Sequence, residues 1–485
     1  MALRFYNTLT RELEEFRPLD PPHVSVYACG PTVYRAPHIG NFRTFVFDDV
    51  LHRYLEWKGF DVRFVMNLTD VEDKIIDAAV AAGVPIENVT RPIVDAFFAD
   101  LDTLGIRRVD HYPRATEHID TMLALVRRLI DRGHAYVRDG SVYFDISSFP
   151  RYGRLSRVSL DANRAGAGLA ARDGGVDADE YSKEDARDFA LWKAAKDGER
   201  QAGAAWTTEW GEGRPGWHIE CSAMSMAELG ETFDIHTGGE DLIFPHHEDE
   251  IAQSEGATGK TFARCWLHVT HLKVDGEKMS KSKRNDFSIG ELIERGHSPA
   301  HIRMLLLQGH YRRELNFSMD GLEDARAAIQ RLLDFDRRLG EAERDDVAPP
   351  TPLPNIAASA LADFEAALDD DLNTPAALGV LFPFVREVNA QLDGQPAFRA
   401  SEIDAARHAL ERIDDVLGIL ELARARLPVD DELSTWVEKL LHDRQQARGR
   451  RDFAAADAIR DQLTAAGVTV EDTPAGPRWK LDAGR

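Results

Sequence analysis

Two short stretches hold the side chains best suited to chemistry on a phosphate: His38-Ile39-Gly40-Asn41, and Lys278-Met279-Ser280-Lys281-Ser282. His38 and Asn41 open a segment whose apolar residues Phe42, Phe45, Val46, Val50 and Tyr54 recur at helical spacing. Ahead of them the β-branched run His23 to Tyr27 meets Cys29-Gly30-Pro31, so the order reads strand, glycine turn, helix. A turn of this kind aims free backbone N–H groups and the positive end of a helix at one point, which favours a bound phosphate. The second stretch follows the hairpin-like Val274-Asp275-Gly276-Glu277 and sets two lysines and two hydroxyls within five residues. That is what a mobile loop needs to hold a triphosphate and neutralise departing pyrophosphate. Each stretch also has a plainer reading, a helix cap for His38 and a solvated basic loop for the lysines.

The elements around these stretches read as an open parallel sheet. Gly59 closes the first helix, and Asp61 to Leu68 is a second buried strand ending in Asn67-Leu68-Thr69-Asp70. This completes a β-α-β unit with polar residues at the carboxyl end of its second strand, where such sheets bind ligands. Thr69 and Asp70 are therefore candidate contacts, although Asp70 could equally cap a helix starting near Val71. Further on, Phe233 to His236 reads as a strand and Gly238-Gly239-Glu240-Asp241 as a turn at its end, where Asp241 could accept hydrogen bonds from sugar hydroxyls. A helix from Pro245, with proline in its first turn, brings His246 and Glu250 to one face.

Size and composition bound the class. A chain of 485 residues with 43% apolar content should hold more than one domain with sizeable cores. No stretch approaches the ~20 uninterrupted apolar residues of a membrane helix, and charged residues from Arg4 to Glu15 replace the apolar run of a signal peptide, so a cytoplasmic location is expected. A formal charge of −24 argues against indiscriminate coating of nucleic acid, so any RNA must meet local basic patches.

Helical periodicity covers Val71 to Ala82, Arg91 to Leu104 and His118 to Arg132, with a strand pair at Ala135 to Val137 and Ser141 to Asp145. Residues 161 to 188, rich in Ala, Gly and acidic residues, read as a flexible surface insertion. Beyond the lysine loop, Ile289 to Gly296, Pro299 to Gln308 and Gly321 to Leu339 look helical, and Val347 to Pro354 reads as a semi-rigid linker. Ile356 to Leu368, Thr374 to Leu392, Ser401 to Leu422 and Glu432 to Ala447 continue as a helical bundle. A last helix, Phe453 to Ala465, precedes strand-like runs near Val468 and Arg478. Arg444, Arg448, Arg450 and Arg451 form the densest basic cluster of the tail and would suit an RNA backbone.

Three cysteines, Cys29, Cys221 and Cys265, are too few for a disulfide framework, so each is free, a ligand or core. Without a CxxC, any metal site must be assembled by the fold. Cys29 lies at a strand end, Cys221 starts a helix after Trp217-His218, and His246 with Glu250 forms a one-turn pair; two thiolates, an imidazole and a carboxylate suit Zn²⁺. Cys265, beside Trp266, reads as core.

HIGN and KMSKS resemble the HIGH and KMSKS signatures of class I aminoacyl-tRNA synthetases, with Asn41 in place of the last His. Asn can donate to a phosphate oxygen but carries no charge. Together with CGPTVY, NLTDVEDKI, RPGWHIECSAM and GGEDLIFPHHEDEIAQS, in order and over essentially the whole chain, they resemble the cysteinyl-tRNA synthetase family. The resemblance implies a doubly wound parallel-sheet (Rossmann-like) α/β catalytic core with an insertion, then an α-helical bundle and a small anticodon-binding domain. The expected divisions are 1–110, 111–230, 231–310, 311–424 and 425–485. It implies zinc on Cys29, Cys221, His246 and Glu250, and charge stabilisation on ATP phosphates by His38, Asn41, Lys278 and Lys281. Gly40, Gly239 and Asp241 join Lys281 at ATP, and Gly30, Thr32, Thr69 and Trp217 are the expected amino-acid contacts. The implied partners are L-cysteine, ATP with Mg²⁺ and cysteine tRNA, with a monomer acting in the cytoplasm. Two rivals are a mycothiol-pathway cysteine ligase acting on an amino sugar and a non-catalytic, zinc-containing RNA-binding paralogue. The first should lack the tail after residue 425; intact His38, Lys278 and Lys281 count against the second.

Overall fold

The structure, a computed structural model, describes residues 2–158, 188–278, 285–425, 431–450, 452–473 and 476–481. The expected insertion at 161–188 falls almost wholly outside them, as do Met279 to Ser282 with Lys281 and the side chain of Lys278. The chain divides into two compact units, one of residues 1–288, 306–317 and 360–381, the other of 289–305, 318–359 and 382–485.

The first unit is built on four parallel strands, ordered Ala263–Val269, Phe233–Gly239, His23–Ala28, Asp61–Met66. The run HVSVYA forms the inner strand His23–Ala28 because its branched residues fit a pleat covered on both faces, and its last three residues are buried. From it the chain crosses through the helix Ile39–Trp57, with fourteen buried residues, back to the parallel strand Asp61–Met66. Lys58 caps that helix, and Gly59 follows in a left-handed conformation at φ 88°.

Several elements depart from the sequence reading, each for a local reason. The second strand stops at Met66 rather than Leu68, because the following residues turn to the loop after Cys29: Thr69 N–H donates to Pro31 O at 3.1 Å and Val33 N–H to Thr69 O at 3.0 Å. The next helix is Asp73–Ala82, capped by the Glu72 carboxylate on Lys74 N–H and not by Asp70. The following one begins at Ile86 and carries Pro92 inside it. The strand ending the second half of the sheet runs on through Gly238 and Gly239, which stay paired with His268 and Val269. Pro245 is the N-cap of the helix His246–Thr258 rather than part of its first turn. Cys221 lies in the second turn of its helix, Trp217–Leu229. Between the two halves of the parallel sheet stands a five-stranded antiparallel sheet running from Ala135–Arg138 to Trp206–Thr208.

The second unit is mainly helical. Met319–Glu341, Ala400–Leu417 and Leu420–Arg424 belong to it; the last two, read from sequence as one helix, separate at Gly418, whose φ of 61° no helix interior adopts. Arg303, fully buried, donates from Nε to Leu417 O at 2.7 Å beside this break. Asp431–Gly449 and Phe453–Ala465 pack with the hairpin Val468–Thr473 and Gly476–Leu481 around a small core of Val437, Leu441, Leu463 and Val468. Among the described residues no helix is long and apolar enough to cross a membrane.

One buried carboxyl ties the first helix to the sheet. Asp48 accepts from Thr237 Oγ1 at 2.8 Å while its Oδ2 is buried without a partner. Burial lifts this carboxyl from 3.8 to about 7 against the pull of the Thr237 bond, with Asp49 adding to the rise. Between those values the native chain holds a proton that the unfolded chain has released, so this group's stabilising contribution is complete below about pH 4 and drains away as pH rises towards 7. Asp48→Asn keeps the acceptor for Thr237 and cannot ionise. Thermal melts should show the variant gaining on the parent steadily from pH 5 to pH 7.5; a gap independent of pH would contradict the assignment.

Candidate active site

A cavity of about 540 Å³ opens at the carboxyl end of the parallel sheet. All four sheet strands reach it: the one ending before Cys29, the one before Asn67, Phe233–Gly239, which gives Gly239, and Ala263–Val269, which gives Val269. Its lining contains Cys29, Gly30, Thr32, His38, Gly40, Asn41, Thr69, Trp217, Cys221, Gly239, Asp241 and His246. The fold thus brings together most of the sequence-named residues. Asp70 is not among them: its carboxylate accepts from Thr116 N–H at 2.9 Å and Thr116 Oγ1 at 2.7 Å, a structural link.

The floor of the cavity is a set of metal donors. Ligand atoms of Cys29, Cys221, His246 and Glu250, all buried, lie within 4.8 Å of one another. The strand pairing makes this possible, because Cys29 N–H donates to Thr237 O at 3.1 Å and so keeps the thiol beside His236 and Glu250. Tetrahedral zinc with Zn–S near 2.3 Å would hold two sulfurs roughly 3.7 Å apart, and the Cys29 and Cys221 sulfurs stand 3.7 Å apart. Glu250 Oε1 is 3.6 Å from Cys29 Sγ and 3.0 Å from His246 Nε2. The donor set therefore fits a soft divalent cation in both spacing and chemistry.

Electrostatics agree. Cys221 is brought down to about 6, chiefly by the hydrogen bond it accepts from Cys29, while burial and the Cys221 charge push Cys29 well up. Burial would raise Glu250, but the charges of His236 and His246 outweigh it and hold the carboxyl at about 2. Burial likewise works against His246, yet Cys221 and Glu250 hold its pKa well above the usual imidazole value. A thiolate and a carboxylate thus converge on one imidazole, the charge pattern that a divalent cation neutralises. His218 Nδ1 lies 2.9 Å from His246 Nδ1 and His218 Nε2 lies 3.4 Å from Asp249 Oδ2, a chain that orients the His246 ring with Nε2 towards Glu250. The Trp217 ring packs on His246 with centroids 4.3 Å apart and forms a cavity wall.

Two histidines that the sequence reading passed over join this cluster. Cys29, His236, His247 and Glu250 make a second set of convergent donors: His247 Nε2 is 3.3 Å from Cys29 Sγ and His236 Nε2 is 2.9 Å from Glu250 Oε2. His247 continues to His268 at 2.8 Å and thence to Thr8 Oγ1 at 2.8 Å. Both were visible in FDIHTGG and FPHHEDE; helical spacing selected His246 and left its neighbour aside. The first set is the one open to ligand, since Cys29, Cys221 and His246 line the cavity whereas His236 and His247 do not.

The other end of the cavity is the start of the helix Ile39–Trp57. Asn41 Oδ1 accepts from His38 N–H at 3.1 Å, leaving the Asn41 NH₂ to donate outward. His38 Nδ1 is buried without a partner. Burial and then the Arg35 charge lower the His38 pKa, so the ring meets a ligand as a neutral donor. One glycine is sterically required nearby, and a second stands close to a ligand-facing carboxylate. A Cβ on Gly30 would fall 1.8 Å from Asn67 O, and one on Gly239 would fall 2.4 Å from Asp241 Oδ1. Asn67, also missed, accepts from Gly30 N–H at 2.9 Å and donates to Thr69 Oγ1 at 3.1 Å, so it shapes the wall on which Thr32 and Thr69 sit.

Known proteins match the chain over most of its length. Residues 15–327 match the family described as tRNA synthetases class I (C) catalytic domain, and 363–421 match the DALR domain. The Mycobacterium tuberculosis methionyl-tRNA synthetase in complex with methionyl-adenylate superposes with a TM-score of 0.59 at 19% identity, covering 90% of this chain and 96% of that one, a likeness of fold. The chain is a class I aminoacyl-tRNA synthetase. Residues 430–479 match the cysteinyl-tRNA ligase anticodon binding domain. The cysteine–tRNA ligase of Solibacter usitatus is 48% identical over 99% of this chain and 100% of its own, and that of Chlamydia muridarum 45% identical over the same shares. Within the class, therefore, the chain belongs to the cysteinyl-tRNA ligase family.

The two donor sets make different predictions. Metal analysis of purified protein should find Cys221→Ala stripped of zinc and His247→Gln still loaded. Retention by the first variant and loss in the second would move the site to the His236 and His247 set.

Proposed function

We propose that the chain joins L-cysteine to cysteine tRNA in two steps at this cavity. The observation that carries the reading is a single cavity with a thiol, imidazole and carboxylate floor at one end and a helix N-terminus bearing the unpartnered His38 Nδ1 at the other. The amino acid lies over Cys29, Cys221 and His246, against Trp217 and between Gly30, Thr32 and Thr69. ATP lies with its phosphates at His38, Gly40 and Asn41 and its ribose at Gly239 and Asp241. A carboxylate oxygen of cysteine attacks the α-phosphorus and pyrophosphate leaves, giving cysteinyl-adenylate. His38 and the Asn41 amide donate to phosphate oxygens, Lys278 and Lys281 neutralise the leaving group, and Mg²⁺ accompanies the nucleotide. A terminal hydroxyl of the tRNA then attacks the activated carbonyl and AMP departs.

Zinc held by Cys29, Cys221, His246 and Glu250 would accept the substrate thiolate as a further ligand. Cysteine and serine differ by sulfur for oxygen, which an apolar pocket separates poorly, whereas a soft cation prefers the more acidic and softer sulfur. Cysteine-dependent ATP–pyrophosphate exchange should be strong, serine should give none, and Cys221→Ala should abolish the cysteine signal. Exchange with serine, or full activity in Cys221→Ala, would contradict the reading.

The tail supplies the tRNA contact on this reading, and its match to an anticodon-binding domain weighs against the amino-sugar ligase. Of the basic cluster, Arg448 and Arg450 are exposed, whereas Arg444 is buried and Arg451 lies outside the described residues. Beside them Phe453 is 63% exposed at the first position of its helix, an aromatic surface on which an unpaired base can stack. Phe453→Ala should lower the efficiency of tRNA charging about tenfold, in line with ~1–3 kcal/mol per stacked base. Pyrophosphate exchange, measured alongside, should stay unchanged.

A further inference from the structure

The helix Ile39–Trp57 carries a buried arginine that the steps above do not use. Arg43, 3% exposed, makes four hydrogen bonds, all to main-chain carbonyls: Nη1 donates to Thr270 O at 2.6 Å and His271 O at 2.7 Å, Nη2 to His310 O at 3.1 Å and to Arg313 O. These carbonyls stand at the entrance of two strands. Thr270 and His271 lead into Leu272–Val274, Arg313 leads towards Leu315–Phe317, and the two strands pair in parallel with Leu272 opposite Leu315. On its other edge Leu272–Val274 pairs with Glu277–Lys278, so the strand that begins the lysine loop belongs to the small sheet whose entrance Arg43 grips.

The same helix holds the far side of that loop. Ile39 N–H donates to Phe287 O at 2.8 Å, and the Phe287 ring packs on Phe317 with centroids 5.9 Å apart. Both ends of the segment from Lys278 to Phe287 are therefore referred to the first two turns of one helix, whose start lines the cavity. Thr270 and His271 line the cavity as well.

We propose that Arg43 is a positioning residue for the nucleotide: by gathering the Thr270, His271, His310 and Arg313 carbonyls it fixes the Thr270–His271 wall of the cavity and the root of the strand pair Leu272–Val274 and Glu277–Lys278 that follows it. A guanidinium suits the task because its planar fork presents five donors in fixed directions and keeps its charge when buried. Lysine would bring a point charge with three donors, and glutamine two donors and no charge. The metal floor is held by other contacts, so Arg43 acts on ATP and leaves cysteine binding alone.

The inference rests on the adenylation reading above, and one experiment separates the two. Arg43→Lys and Arg43→Gln are assayed by ATP–pyrophosphate exchange with ATP and cysteine varied separately, alongside zinc content. The expected result is a KM for ATP raised about tenfold or more, a KM for cysteine within twofold of the parent, and unchanged zinc, with Arg43→Gln carrying the test if the lysine variant does not fold. Equal rises in both KM values, or a lower melting temperature with both KM values unchanged, would reduce Arg43 to a structural residue and overturn the proposal. A parent protein without cysteine-dependent exchange would overturn the adenylation reading itself, before any variant is compared.

Discussion

The parallel pairing of His23–Ala28 with Phe233–Gly239 is the constraint on which the site depends. It sets Ile235, His236 and Thr237 opposite Val26, Tyr27 and Ala28, and so carries the Cys29 thiol to the place where His246 and Glu250 arrive from the following helix. Parallel strands demand a crossover, and here the return path runs through the whole antiparallel insertion. The site is thus made of partners that share no local sequence. A shift of one residue in the register would turn Cys29 to the opposite face and leave Cys221, His246 and Glu250 without their fourth member.

The cavity that results has two ends of different chemistry. At the floor, burial makes each ionisation expensive unless its neighbours answer it, which is why Cys221 and Glu250 are anionic around an imidazole held well above its usual pKa. At the helix end, backbone dipoles act together with the Arg35 charge, and burial and that charge keep His38 uncharged. A small soft group and a large polyanion can be held side by side without either end competing for the other's ligand.

Much of this was legible in the sequence, because motif and secondary structure coincide there. His38 and Asn41 sit at the start of a helix whose apolar period is plain, and Cys265 beside Trp266 is core as its context implies. What escaped is what depends on tertiary neighbours. Asp70 looked like a ligand contact or a cap, yet Glu72 caps the helix and Asp70 is drawn off by Thr116. His247 was hidden by the helical spacing that picked out its neighbour, since a residue one step along a helix faces another wall, and here that wall is the Ala263–Val269 strand with His268. The break at Gly418 was readable as a glycine, but whether a glycine interrupts a helix depends on its φ, which the neighbouring Arg303 and Leu417 contact accompanies.

The distance along the chain between Cys29 and its partners has a consequence for biosynthesis. A chain emerging from the ribosome exposes Cys29 at the end of its first sheet strand well before Cys221, His246 and Glu250 have been made, and lacks the short-range pair of cysteines with which a zinc knuckle captures metal early. The four donors therefore come together late, once the insertion is complete and the second half of the sheet has docked. A nascent chain that stalls before Cys221 carries the Cys29 thiol without the other three donors, so the convergence of all four marks closure of the core.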